Sequence, residues 1–257
     1  MRDKLSDITR RMTGTMLLLP LIVLFFIGKP YSKITVVICA IIMILEYSSF
    51  VTKHIGMRCT LFLLICLFGS TSLFLFEPLY HFICFILVAS VLLGFFPYQS
   101  SIMGFCLAVL FYSIGSLSHY HFFQEIMTYV VVTIIFVDTG AYTVGRFVGG
   151  PKLLPLVSPA KTISGAIGGL IGGVLAGLFT FYILSIEITL YLIFITLFVT
   201  ILAQIGDITE SYFKRSINTK DSAKIIPGHG GFMDRFDGYL FVVPFVAWLP
   251  VHGIFVQ

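Results

Sequence analysis

The sequence predicts an all-α fold: a polytopic integral membrane helical bundle of about nine transmembrane helices, with its N-terminus in the cytoplasm. Three observations predict it. First, the 257 residues are 58% hydrophobic and 11% charged, with a mean hydropathy of +1.03, which is not the composition of a soluble globular domain. Second, apolar runs of spanning length recur along the whole chain, where a transmembrane barrel would show alternating segments of about ten residues. Third, fourteen of the sixteen Lys and Arg residues fall in alternate loops between these runs, the bias that marks cytoplasmic loops.

Taken in order, the spans fall at about 15–28, 33–51, 59–76, 79–96, 101–117, 126–147, 162–185, 188–206 and 238–256. The run from Met16 to Ile27 is followed by no small-residue cleavage site, so it reads as a spanning helix and not as a secretory signal. Arg2, Lys4, Arg10 and Arg11 precede it, and Lys53 and Arg58 follow the second span. Arg146, Lys152 and Lys161 follow the sixth, and Lys214, Arg215, Lys220, Lys224 and Arg235 the eighth. Only Lys29 and Lys33 lie on the other side. This arrangement places the N-terminus and the segment after span eight in the cytoplasm, and the C-terminus outside. It describes an integral membrane protein with its working face toward the cytoplasm.

Residues 1–125 read as apolar N-terminal transmembrane helices with few polar motifs. Glu46 is the exception, lying inside span two; an intramembrane carboxylate is costly, and a structural or pairing role is expected of it. The five cysteines form no C-x-x-C pair, and no cluster of Cys and His has zinc-ligand spacing, so they read as small packing residues. His81, His119 and His121 fall near the non-cytoplasmic ends of spans and carry no assigned role.

Residues 126–257 read as the catalytic transmembrane region. Span six contains D-T-G-A-Y-T-V-G-R, which sets Asp138 deep in apolar sequence and makes it a functional candidate. The Pro- and Gly-rich loop that follows contains S-P-A-K-T-I-S-G. Ser158 reads as a helix N-cap with Pro159 at the first helical position. Lys161, one turn inside, and Ser164 would then meet an anion at the helix N-terminus, or Lys161 would meet lipid headgroups. Span seven repeats glycine at positions 165, 169, 173 and 177, a face that lets another helix approach closely, within the bundle or between subunits.

The segment from Asp207 to Asp237 holds five cations and five acids, ten of the chain's 28 fixed charges. Asp207, Glu210, Ser211 and Lys214 fall at i, i+3, i+4 and i+7, one face of a helix continuing from span eight. Arg215 follows, then Lys220 and Asp221. Pro227, Gly228, Gly230 and Gly231 make a turn around His229, whose backbone N–H groups could cradle an anion. Asp234, Arg235 and Asp237 open the last helix, where acids suit the dipole. The chain thus leaves and re-enters the membrane on carboxylates, a hairpin able to bring Asp207 and Asp234 to a common metal. Cations at such spacing suit phosphates, and acids suit a hard cation such as Mg2+. Nothing in the pattern calls for a nucleic-acid partner.

These residues carry a specific resemblance. Ser211, Lys214-Arg215, Lys220-Asp221, His229-Gly230-Gly231, Asp234-Arg235 and Asp237 match S-x-x-K-R, four residues, K-D, then H-G-G-x-x-D-R-x-D. That is the signature of the phosphatidate cytidylyltransferases (CDP-diacylglycerol synthases), and the Asp138 and Ser158 segments are similar to that family too. The motifs cover roughly residues 136–240; the first half resembles the family only in being apolar helices.

The resemblance implies transfer of CMP from CTP to phosphatidate in phospholipid biosynthesis, with CDP-diacylglycerol and pyrophosphate as products. It implies Mg2+ as cofactor, with a second, monovalent cation left open, and Asp207 and Asp234 as metal ligands. Lys214, Arg215, Lys220 and Arg235 would bind triphosphate and phosphatidate, and Asp221, His229 and Asp237 would orient these groups or bind cytidine. Lys161, Ser164, Ser211, Gly230, Gly231 and Asp138 would complete the substrate site. The partners are then CTP, phosphatidate and membrane lipid, and the glycine face and the family both suit a homodimer. Two other classes use some of the same residues: a CTP-dependent lipid kinase, which would release CDP, and a transporter with Asp138 and Glu46 on an ion pathway. The two halves show no inverted repeat of the kind many transporters carry.

Overall fold

The computed structural model describes residues 19–28, 31–55, 98–216, 219 and 230–249, and among these the chain is mostly helical. The helices are α1 (Tyr31–Ile55), α2 (Tyr98–Ser118), α3 (Phe123–Val148), α4 (Ile163–Ile183), α5 (Leu190–Ser216) and α6 (Tyr239–Trp248). Residues 19–27 are also helical. A 3-10 turn, Met233–Arg235, lies between α5 and α6. Among the described residues three helices, α3, α4 and α5, are long and apolar enough to cross a membrane. The expected spans at 59–76 and 79–96 lie outside the described residues, as does the end of the ninth.

The described residues fall into two compact units, one up to Ser118 and between 217 and 236, the other over 119–216 and from Asp237 onward. In the first unit, α1 buries Ala40, Met43, Glu46 and Tyr47, and α2 buries Met103, Leu107, Leu110 and Leu117. Steps of three, four and seven residues put each set on one face of its helix. Phe232 and Met233, at the start of the 3-10 turn, are buried in the same unit.

The second unit is a bundle of α3, α4, α5 and α6. Its α3 buries Ile126, Val130, Ile134 and Val137 at helical spacing and leaves Ile135 and Phe136 exposed. It stops at Gly149, whose φ of 64° is in the left-handed region that glycine enters without a Cβ penalty. The glycine face of α4 is used inside this bundle. A Cβ at Gly173 would lie 2.4 Å from Val137 Cγ2 and 2.5 Å from Thr200 Cγ2, and one at Gly177 2.6 Å from Thr196 Cγ2. These glycines let α4 sit directly on α3 and α5, so the face is not left over for a second subunit. Beside it the Tyr129 hydroxyl donates to Thr196 Oγ1 at 3.1 Å, and the Tyr129 ring stacks on Phe181 at 4.5 Å. The opposite side of α4 exposes Ile167, Ile171, Leu175 and Phe179, a helix apolar on both sides, as a lipid-facing span must be. Gly173→Ala is therefore expected to destabilise the bundle by about 1–3 kcal/mol through overpacking. Thermal unfolding in detergent checks this; an unchanged midpoint would mean that the three helices do not pack as described.

One feature departs from the all-α expectation. The loop between α3 and α4 forms a two-stranded antiparallel hairpin, β1 (Lys152–Leu154) and β2 (Ser158–Thr162), with Lys152 opposite Thr162 and Leu154 opposite Ser158. Ser158 is accordingly not the cap of the next helix. Thr162 is, accepting the Gly165 N–H at 3.1 Å on its Oγ1, and Lys161 lies on a strand and not inside the helix.

Candidate active site

The site in the second unit is built at the C-terminal end of α5. That helix buries Leu192, Ile195, Val199 and Ala203 on one side, and the same side continues into Gly206, Glu210 and Phe213, so polar groups follow directly on a packed apolar stripe. The predicted continuation of the helix beyond span eight is present: α5 runs unbroken to Ser216. Glu210 is fully buried, and its Oε2 accepts from Lys214 Nζ at 3.1 Å, one turn along. A carboxylate with no solvent requires such a partner. Sequence reasoning placed Glu210 on this face but gave it no role; its i, i+4 spacing to Lys214 was the available signal.

Asp207, one turn earlier, forms an ion pair with Lys161, each side chain about a third exposed (30% and 28%). The hairpin thus delivers Lys161 to α5 from β2. Arg215 holds the same hairpin, its Nε donating to the Val157 carbonyl at 3.3 Å. At the hairpin's far end Ser164 Oγ donates to the Gly149 carbonyl and lies 3.1 Å from Thr162 Oγ1. Ser164, expected to touch substrate, therefore ties the start of α4 to the end of α3. Arg146, one turn before that end, donates to the Tyr142 hydroxyl at 2.6 Å.

Asp237 reaches the same place from the other direction. Its backbone carbonyl lies so near Gly206 that a Cβ there would be 2.3 Å away, so glycine at 206 admits the chain against α5. The Asp237 carboxylate accepts the Gly238 N–H at 2.7 Å. Loss of solvent pushes its pKa well above the usual carboxylate range; the charges of Asp207, Glu210 and Asp138 add to this, and the Gly238 hydrogen bond opposes it. Asp138 is exposed on α3, but close enough to contribute. The charges of Asp207 and Glu210 on α5 and of Asp138 on α3 are therefore felt at Asp237, and Lys161 and Lys214 pair with the two on α5. Ser211 is half-buried on the same helix.

The first unit carries Gly230, Gly231, Asp234 and Arg235. Gly230 has φ 84°, a left-handed conformation suited to glycine. The Asp234 carboxylate accepts the Gly231 N–H at 2.8 Å, while Arg235 is exposed. Two backbone bonds close the turn, Arg235 N–H to the Phe232 carbonyl at 3.0 Å and Phe236 N–H to the Met233 carbonyl at 2.9 Å. Lys220, Asp221 and His229 lie outside the described residues.

Among the described residues no three Asp, Glu, His or Cys side chains are arranged to hold a metal by themselves. That arrangement would suit Ca2+ or Zn2+ more than Mg2+, which commonly takes one or two carboxylates and completes its shell with waters and substrate phosphates. The donors here are carboxylate oxygens, the kind a hard divalent cation takes.

Comparison with known proteins gives a consistent picture. Residues 8–251 match the Cytidylyltransferase family. A protein of Staphylococcus aureus (strain COL) named phosphatidate cytidylyltransferase is 36% identical over 155 residues, 58% of this chain and 60% of that one. One of the same name from Bacillus subtilis (strain 168) is 38% identical over 141 residues, 51% and 52% of the two chains. A third, from Staphylococcus haemolyticus (strain JCSC1435), is 37% identical over 165 residues, 62% and 64%. The aligned stretches thus span between half and two thirds of these relatives. The family match extends over nearly the whole chain, and the protein belongs to the cytidylyltransferase family.

Proposed function

We propose that this member of the cytidylyltransferase family transfers CMP from CTP to phosphatidate, releasing pyrophosphate and leaving CDP-diacylglycerol in the membrane. The observation that carries this reading is the cluster at the end of α5, where Lys161 meets Asp207, Lys214 meets Glu210, and Asp237 is packed against Gly206. An apolar bundle that gathers both signs of charge at one end is suited to two polyanions, one of them anchored in lipid. A phosphatidate oxygen would attack the α-phosphorus of CTP, forming a new P–O–P bridge while the bond to the β-phosphate breaks. The nucleophile is a phosphate monoester, largely ionised near neutral pH, so a strong general base is not needed. What the reaction needs is positioning and charge neutralisation.

In this reading Lys161, Lys214, Arg215, Lys220 and Arg235 bind the phosphates, and Asp221, His229 and Asp237 orient them or bind cytidine. Ser211, Gly230 and Gly231 contribute further hydrogen bonds, Ser164 fixes the hairpin that presents Lys161, and Asp138 supports the carboxylate cluster. Mg2+ is the proposed cofactor, and when bound it would neutralise charge developing on the phosphates. Asp207 is the carboxylate proposed to hold it on α5, and Asp234 carries the same proposal on its own turn. A monovalent cation beside it is a further proposal, and a homodimer now rests on the family alone. The proposed setting is an inner membrane crossed about nine times, with the N-terminus and this site on the cytoplasmic side.

CTP labelled separately at the α- and γ-phosphates, incubated with phosphatidate, Mg2+ and purified protein, tests the reaction. The α-label is expected in the lipid phase and the γ-label in pyrophosphate. Appearance of the γ-label in lipid would replace the reading with a CTP-dependent kinase.

A further inference from the structure

Among the described residues of the first unit, Glu46 is the buried acid to which the reaction as proposed assigns no part. Its side chain is 1% exposed on α1, and one oxygen, Oε2, accepts two backbone N–H groups, from Phe232 at 2.6 Å and from Met233 at 3.0 Å. Those two residues are themselves buried and begin the turn that bears Asp234 and Arg235. An early 3-10 or helical turn leaves its first N–H groups without partners. Here three successive groups are bound, Gly231 by Asp234 and Phe232 and Met233 by Glu46. Water does not reach buried donors, so no solvent can replace the carboxylate when it is removed.

A buried carboxylate is costly, and packing alone would favour Met or Leu at position 46. We propose that Glu46 is a positioning residue: it fixes the Phe232–Phe236 turn in the conformation that presents Asp234 and Arg235 to substrate. This rests on the proposed reaction for its catalytic consequence, but the turn itself can be followed without it.

Both N–H groups meet one oxygen, so an amide oxygen can take its place. The experiment compares wild type, Glu46→Leu and Glu46→Gln by hydrogen–deuterium exchange and by CMP-transfer rate. Glu46→Leu is expected to speed exchange in peptides covering 231–236 while α3, α4 and α5 keep their protection, and to lower kcat about 30-fold. Glu46→Gln is expected to restore most of both. Wild-type exchange at 231–236 in a folded Glu46→Leu protein would overturn the assignment, as would a wild-type kcat there or failure of glutamine to rescue. If the leucine variant does not fold, Glu46→Asp, one methylene shorter, takes its place, and normal exchange with normal kcat in it overturns the assignment equally. Failure of wild type to transfer CMP would overturn the proposed reaction and leave the exchange comparison to decide Glu46.

Discussion

Asp207→Asn is expected to lower kcat by about 10³-fold, the scale on which removal of a charge acting at a phosphoryl centre is felt, while leaving the folded protein at least as stable as before. The two halves of this expectation come from the same geometry. Asp207 pairs with Lys161 across a contact about a third exposed, and such contacts contribute little to stability. Against that, its charge helps to push the pKa of Asp237 up, so its presence strains the folded state. An asparagine relieves the repulsion, retains the shape and can still meet Lys161 through its carbonyl. Residues kept for function at a cost in stability behave in this way. Initial rates in mixed micelles and thermal unfolding of the same preparations measure both. Normal turnover would remove Asp207 from the chemistry. A large fall in stability accompanying lost turnover would instead make the Lys161 pair a structural one.

The parts of this molecule that were legible in its sequence are those encoded locally. Run length predicted α3, α4 and the start of α5 to within a few residues, because a span must satisfy its backbone internally and therefore needs a continuous apolar helix. The i, i+3, i+4, i+7 spacing of Asp207, Glu210, Ser211 and Lys214 predicted that α5 continues past its apolar part, and it does. The four-residue glycine period announced a close approach, though not its partners; Val137, Thr196 and Thr200 supply them. What escaped depends on pairing. Strands of three and five residues carry too little alternation to declare themselves, and Pro159 within β2 favoured a helix start at Ser158, when Thr162 is the cap. Glu46 shows the limit most clearly. Its place inside an apolar run was plain, but its partners lie 186 and 187 positions away, and no property of one sequence connects them.

The second large effect concerns the turn that Glu46 holds. Asp234→Asn is expected to abolish measurable turnover, a loss of at least about 10³-fold, in a protein that folds normally. The substitution isolates charge from geometry. Asp234 accepts the Gly231 N–H at 2.8 Å through one carboxylate oxygen, and asparagine carries a carbonyl oxygen able to accept the same bond. The hydrogen bonds that close the turn, from Arg235 and Phe236 to backbone carbonyls, do not involve the side chain. The two supplied by Glu46 are likewise untouched. The turn in Asp234→Asn should therefore keep wild-type amide exchange while losing its negative charge, whereas Asp234→Ala should lose both the charge and the Gly231 bond. Equal loss of turnover in the two variants, with exchange at 231–236 altered only in alanine, would assign the loss to the missing charge, as a metal or phosphate-orienting role requires. If asparagine retains near wild-type activity and alanine does not, Asp234 serves the turn's shape, and the metal role proposed for it falls.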